Sequence, residues 1–96
     1  MYFKTHSSDN NRVLACADKN VVGKTFSDEK REVTVSESFY KGEETNPKKL
    51  AEMLGEFDSI NLFGEHAVTT AMKQGLIREK DIIKIQGVKH VIILKV

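Results

Sequence analysis

The sequence predicts an α+β fold, a two-layer sandwich with an antiparallel or mixed sheet and two helices on one face. Three observations predict it. Apolar residues recur at helical spacing in two places, after Asn46 and after Gly64. Short alternating or β-branched runs flank those segments, at 2–6, 12–17, 32–36, 82–85 and 90–96. The order lacks regular strand–helix–strand alternation, so hairpins dominate and the helices gather on one side. A chain of 96 residues makes one domain, 1–96. At this size roughly 60–65% of the unfolded surface is buried, enough for one core and not for a second.

Tyr2 to His6 has strand composition, and Arg12 to Ala17 reads as its partner. Ser7 to Asn11 lies between them as a loose five-residue loop, rich in side chains that bond to nearby backbone. Asp18-Lys19-Asn20 is a second turn. Val21 to Phe26 is a short extended piece bent at Gly23, and Ser27 to Arg31 is a charged loop. Glu32 to Ser36 alternates, with Val33 and Val35 on one face, as a half-buried strand does. Glu37 to Thr45 reads as an acidic loop. Asn46-Pro47 then gives a helix start, an Asn cap before a Pro in the first helical position. Leu50, Ala51, Met53 and Leu54 form that helix's buried side, and Gly55 ends it.

The best-specified helix spans 65–74. Ala67, Val68, Ala71 and Met72 share one face and are expected in the core. Gly64 opens it, Glu65 and Lys73 match the helix dipole, and Gly75 suits a left-handed cap with Leu76 beyond it. Arg78 to Asp81 is a charged turn. Ile82 to Ile85 and His90 to Val96 are strands joined around Gly87, which supplies positive φ.

The composition, 40% apolar and 30% charged, is that of a globular domain. No apolar run approaches the roughly 20 residues that span a bilayer, and the N-terminal residues do not read as a signal peptide. Cys16 is the only cysteine, so no internal disulfide forms, which agrees with a reducing cytoplasm. No membrane partner is expected, the expected location is cytoplasmic, and the oligomeric state is left open. A net charge of +1 gives no overall pull toward nucleic acid, but the two ends of the chain are basic and the middle is acidic.

Candidate chemistry is sparse. Gly23-Lys24-Thr25 matches the end of a phosphate loop, but Asp18 stands where the motif needs Gly and would repel phosphate. Cys16 lies between alanines in an apolar strand, where a thiol is ordinarily inert. The three histidines lie far apart in sequence, so no metal site and no cofactor are expected, and no catalytic residue is assigned. Gly64-Glu65-His66 at a helix start, with Asn61 just before, make an alternative ligand site in which His66 acts as acid or base. The simpler account makes Glu65 a first-turn acid and His66 a surface residue. The basic ends suggest a nucleic-acid surface of Tyr2, Lys4, Arg12, Lys84, Lys89, His90 and Lys95, with Tyr2 or His90 touching bases.

Several stretches together resemble a known family. They are Met1 to His6, Val13 to Asp18, Gly23 to Phe26, Asn61 to Glu65, Ala71 to Ile77, and Gly87-Val88-Lys89-His90. The chain is similar over nearly its whole length to a family of small archaeal proteins catalogued as a domain of unknown function, DUF424. Where that family would have Pro before the last His, this chain has Lys89, a departure that bears on the turn. The resemblance implies a compact α+β domain in an archaeal cytoplasm and carries over no functional residue. The leading expectation is a non-enzymatic binding module, for RNA or a translation-associated ribonucleoprotein, suggested by the family's small archaeal character. Two alternatives stay open: a small enzyme or ligand binder using Asn61, Glu65, His66 and Cys16, and a protein-interaction subunit.

Overall fold

The computed structural model describes residues 1–95. Eight strands form a six-stranded mixed sheet and a separate two-stranded one. Strands β1 (Tyr2–Ser8) and β2 (Asn11–Ala17) make the N-terminal hairpin. Its turn is tighter than the loose loop expected. Asp9 and Asn10 alone occupy it, with φ of 45° and 67°. Two consecutive left-handed residues match the twist of an antiparallel pair, and Asp and Asn tolerate that region better than other side chains. The strands therefore extend through Ser8 and from Asn11.

A small hairpin follows, β3 (Thr25–Ser27) and β4 (Glu32–Thr34). The acidic stretch expected as a loop folds further. It contains a single helical turn α1 (Glu37–Tyr40) and a two-residue strand β5 (Glu43–Glu44) on the edge beside β1. Helix α2 (Pro47–Met53) starts as its sequence predicts: the Asn46 side chain accepts a hydrogen bond from the Lys49 N–H at 3.0 Å. Gly55 lies in a 3-10 turn, Leu54–Glu56, that leads out of the helix.

Strand β6 (Ser59–Phe63) runs parallel to β2 and antiparallel to β8 (Val88–Leu94), at the centre of the order β5-β1-β2-β6-β8-β7. Edge strand β7 (Ile83–Ile85) pairs with β8. Gln86 and Gly87, both with positive φ, connect them. Strand β8 therefore begins at Val88, before the expected His90; Val96, the last residue of that expected strand, lies outside the described residues.

Helix α3 (Glu65–Lys73) follows β6 directly. Its C-terminus closes as expected on Gly75, at φ 77°. The Gly75 N–H donates to Met72 O at 3.0 Å and the Leu76 N–H to Ala71 O at 3.2 Å, the paired bonds of a left-handed cap. Ala67, Val68 and Ala71 are fully buried, while Met72 packs half-buried at the edge of the core.

Alternation along the strands produces two cores. Leu14, Cys16, Ile60, Leu62 and Val91 face α2 and α3, meeting Leu50, Leu54, Ala67, Val68 and Ala71. Ala15, Ala17 and Phe63 face the other way, under Val21, Val35 and Tyr40, with Phe26 and Val33 against them. The second face of the sheet is thus partly covered by α1 and the β3–β4 hairpin. Phe63 anchors that side, with ring centroids 4.3 Å from His90, 6.0 Å from Phe26 and 6.3 Å from Tyr40.

Candidate functional site

The start of α3 has a defect in its own sequence. Its cap residue is Gly64, which has no side chain to satisfy the free N–H groups of the first turn. Asp18, forty-odd residues earlier and just beyond β2, supplies the acceptor. One carboxylate oxygen accepts from the Ala67 N–H at 2.9 Å and the other from the His66 N–H at 2.8 Å. The Asp18 N–H in turn donates to Phe63 O at 2.9 Å. Asp18 is only 4% exposed. Gly64 is required here twice over: its φ is 105°, and a Cβ would lie 2.5 Å from the Asp18 carboxyl carbon.

The same carboxylate reaches a side chain. His66 Nδ1 lies 3.2 Å from Asp18 Oδ2, while the His66 side chain is 76% exposed. A buried carboxylate thus holds an exposed imidazole by one nitrogen. Beside it, Glu65 pairs with Lys89 at 2.8 Å. Their mutual hydrogen bond lowers the Glu65 pKa and raises that of Lys89.

Two hollows meet at these residues. A groove of about 710 Å³ runs between α2 and α3, lined by Pro47, Ala51, Thr69 and Thr70 together with charged side chains including Glu52 and Lys73. A smaller cleft of about 210 Å³ lies among Asp18, Asn20, Gly64, Gly87 and Lys89. Glu65 and His66 line both. The helices lie side by side because both start at the same end of the sheet. Strand β5, just before α2, pairs with Tyr2 and Phe3, which face Ala17 and Cys16; α3 leaves from Phe63, the partner of Ala17.

Of the ligand residues expected from the sequence, Gly64, Glu65 and His66 lie together. Asn61 does not join them: it alternates with Ile60 and Leu62 and so points to the face of the sheet away from α2 and α3. Cys16 is fully buried under the helices, and burial pushes its thiol pKa up to about 12. Such a thiol is no nucleophile at neutral pH. Among the described residues no group of three or more His, Cys, Asp or Glu is arranged to hold a metal ion.

The seven nucleic-acid candidates divide between faces and ends. Tyr2, Lys4 and His90 lie on the α1 side of the sheet. Lys4 donates to Ser38 O at 2.9 Å, and the Lys19 and Lys41 ammonium groups lie 5.4 and 5.7 Å from the Tyr2 ring centroid. His90 is stacked on Phe63, and burial, aided by Arg31, lowers its pKa. The other four lie on the helix side. Arg12 sits 4.8 Å above the Phe57 ring and donates to Glu56 O, and Lys95 donates to Leu54 O at 2.6 Å, both near the Ser59 end. Lys84 and Lys89 face each other at the opposite end, about 20 Å along β8 at the usual rise per residue.

Asp18, Asn20 and the α2–α3 groove were missed from the sequence. One signal pointed to Asp18: a helix start without a capping side chain needs an acceptor from elsewhere, and an acid follows the neighbouring strand.

The fold and site define a small α+β domain with a mixed six-stranded sheet and a distant carboxylate capping its best helix. The chain belongs to the DUF424 family, described as a protein of unknown function, with the match covering residues 5–96. It is similar to a solved structure, the crystal structure of an uncharacterized conserved protein from Methanopyrus kandleri. The two are 32% identical with a TM-score of 0.76, over 99% of this chain and 92% of the other. No match was found among curated proteins. No helix among the described residues is long and apolar enough to cross a membrane.

Proposed function

We propose that this protein binds a small organic ligand in the α2–α3 groove, with His66 as its polar contact. One observation carries the reading: an exposed imidazole, gripped at Nδ1 by the buried Asp18 carboxylate, lines a groove of about 710 Å³. That volume falls in the range typical of small-molecule sites, and an apolar lining with a few placed polar groups is their usual chemistry. The apolar lining here comes from Pro47, Ala51 and the methyl groups of Thr69 and Thr70, and the polar groups stand on the two helices.

Nucleic-acid binding through the basic ends of the chain has less support. Lys89 is engaged by Glu65, and Arg12, Lys4 and Lys95 donate to backbone carbonyls. Their ammonium and guanidinium groups are therefore partly committed before any phosphate arrives, and they are dispersed over two faces.

The test is a fragment screen of the full chain followed by amide chemical shifts. Binders are expected to move the amides of Ala51, Thr69, Thr70 and Lys73, and Ala51→Phe, which fills the groove, is expected to abolish those shifts while the rest of the spectrum stays folded. Fragments that bind only elsewhere, or binding unchanged by Ala51→Phe, would overturn the reading.

A further inference from the structure

We propose that the ligand donates a hydrogen bond to Nε2 of His66, and that Asp18 is the positioning residue that makes this nitrogen an acceptor. The ligand class is an organic molecule with an apolar body and an O–H or N–H donor. The inference rests on the groove reading above and adds the chemistry of the ligand's polar end.

The argument follows the hydrogens. Asp18 faces the His66 N–H, the Ala67 N–H and His66 Nδ1, at 2.8, 2.9 and 3.2 Å. Its two oxygens serve as acceptors to both backbone groups, so the ring nitrogen that meets the same oxygen carries the hydrogen. A neutral imidazole has one N–H. With that hydrogen on Nδ1, Nε2 bears a lone pair. Among the described residues Nε2 has no hydrogen-bond partner, and the side chain is 76% exposed.

Several neighbouring polar groups are already engaged or lack an acceptor. The Thr70 hydroxyl in the groove donates to His66 O at 2.8 Å. Glu65 is occupied by Lys89. Lys48 and Lys73 carry donors only. Glu52 on α2, Thr69 on α3 and Gln74 just after it also bring acceptor oxygens to the groove, and their contribution is separated from that of His66 by the variants below. The imidazole lines both the groove and the adjoining cleft, so a ligand lying in the groove meets this acceptor with its polar end.

The test has a part that needs no ligand. With the ring neutral, long-range nitrogen–proton spectra of the full chain are expected to show His66 with its hydrogen on Nδ1. A dominant Nε2–H form would overturn the proposal. The second part compares benzyl alcohol with benzyl methyl ether by groove amide shifts. The alcohol is expected to bind about fivefold tighter, the yield of one net hydrogen bond, and His66→Ala to remove that preference. Asp18→Asn offers an amide N–H to Nδ1, so it is expected to move the ring hydrogen to Nε2 and abolish the preference, because alcohol and ether oxygens both accept from an N–H. If that variant fails to fold, the wild-type ring spectrum and His66→Ala still decide. Alcohol and ether binding equally in the groove would overturn this inference and leave the groove reading standing. Neither probe reaching the groove would overturn both.

Discussion

Replacing Asp18 with Ala removes the acceptor of two first-turn N–H groups of α3 and leaves the donor of Ala67 buried without a partner. A hydrogen bond to a charged group contributes about 1.5–3 kcal/mol, and an ordinary helix cap about 0.5–2 kcal/mol. The His66 N–H lies nearer the surface, so water recovers part of its loss, and the expected cost is about 2–4 kcal/mol. A domain of this size has a total stability of roughly 5–15 kcal/mol, so the variant forfeits a large share of it. Urea unfolding followed by circular dichroism measures it, and the midpoint is expected to fall by about 1–2 M at a typical slope for a small domain. Asp18→Asn keeps one acceptor oxygen and is expected to lose about half as much. His66→Ala leaves both backbone bonds in place and is expected to stay within about 0.5 kcal/mol, as surface changes do. If Asp18→Ala also stays within that limit, the carboxylate is not the cap of α3. If His66→Ala matches Asp18→Ala, the side-chain contact rather than the backbone pair is the stabilising element.

Gly64→Ala is expected to destabilise more than an ordinary Gly-to-Ala change, and Asp18→Ala to relieve part of that cost, because the new methyl would meet the Asp18 carboxyl; additivity in the double variant would refute the clash. Phe63→Ala, at a fully buried ring between His90 and Tyr40, is expected to cost about 3–5 kcal/mol in the same urea assay. Cys16 is expected to resist thiol reagents in the folded protein at neutral pH and to react on unfolding; labelling of the native chain at the rate of a free thiol would contradict its burial. His90 has a folded pKa below its unfolded value of about 6.5, so the stability it confers is fully present above that pH and declines as the pH falls toward the folded value. A His90→Phe variant is expected to lose that acid-side decline, read from urea midpoints across the window. Filter binding at low salt is expected to show no RNA retention; retention that weakens with salt and with Lys84→Ala plus Lys89→Ala would favour the nucleic-acid role over the groove.

The elements legible in the sequence were those fixed by local chemistry. Asn46 before Pro47, and Gly75 after a run of apolar residues at helical spacing, specify helix ends through bonds within a few residues, and both ends formed as read. The register of Val91 to Leu94 was not legible, because four apolar residues in a row leave the buried face open; the structure buries Val91 and exposes Ile92 and Leu94. The Asp9–Asn10 turn is not legible in the sequence because the five polar residues there look alike in composition, while the tight connection depends on two of them accepting left-handed backbone. The acidic stretch reads as a loop because α1 and β5 draw their stability from tertiary contacts. Tyr40 reaches Phe63 across the sheet, and Glu43 and Glu44 pair with residues at the start of the chain. Propensity in a window of ten residues carries none of that.

The candidate site shows the same division more sharply. Glu65 and His66 could be named because they open a helix, whereas what distinguishes His66 from a solvated surface histidine is its contact with Asp18. That contact exists because β2 and β6 are parallel neighbours in register, with Ala17 beside Phe63, so the residue after one strand meets the residues after the other. A parallel pair needs a long crossover, and here the crossover contains β3, β4, α1, β5 and α2. The same crossover brings α2 to the side of α3 and so makes the groove. One topological fact therefore produces both the held imidazole and the hollow beside it, which is why neither is visible from residue spacing. It also makes a demanding prediction for the M. kandleri structure, which shares the fold at a TM-score of 0.76. If the site is a property of the family, an acceptor after its second strand should cap the helix after its central strand. If that helix is capped from within its own sequence, the Asp18–His66 pair is particular to this chain, and the ligand chemistry argued from it does not extend to the relative.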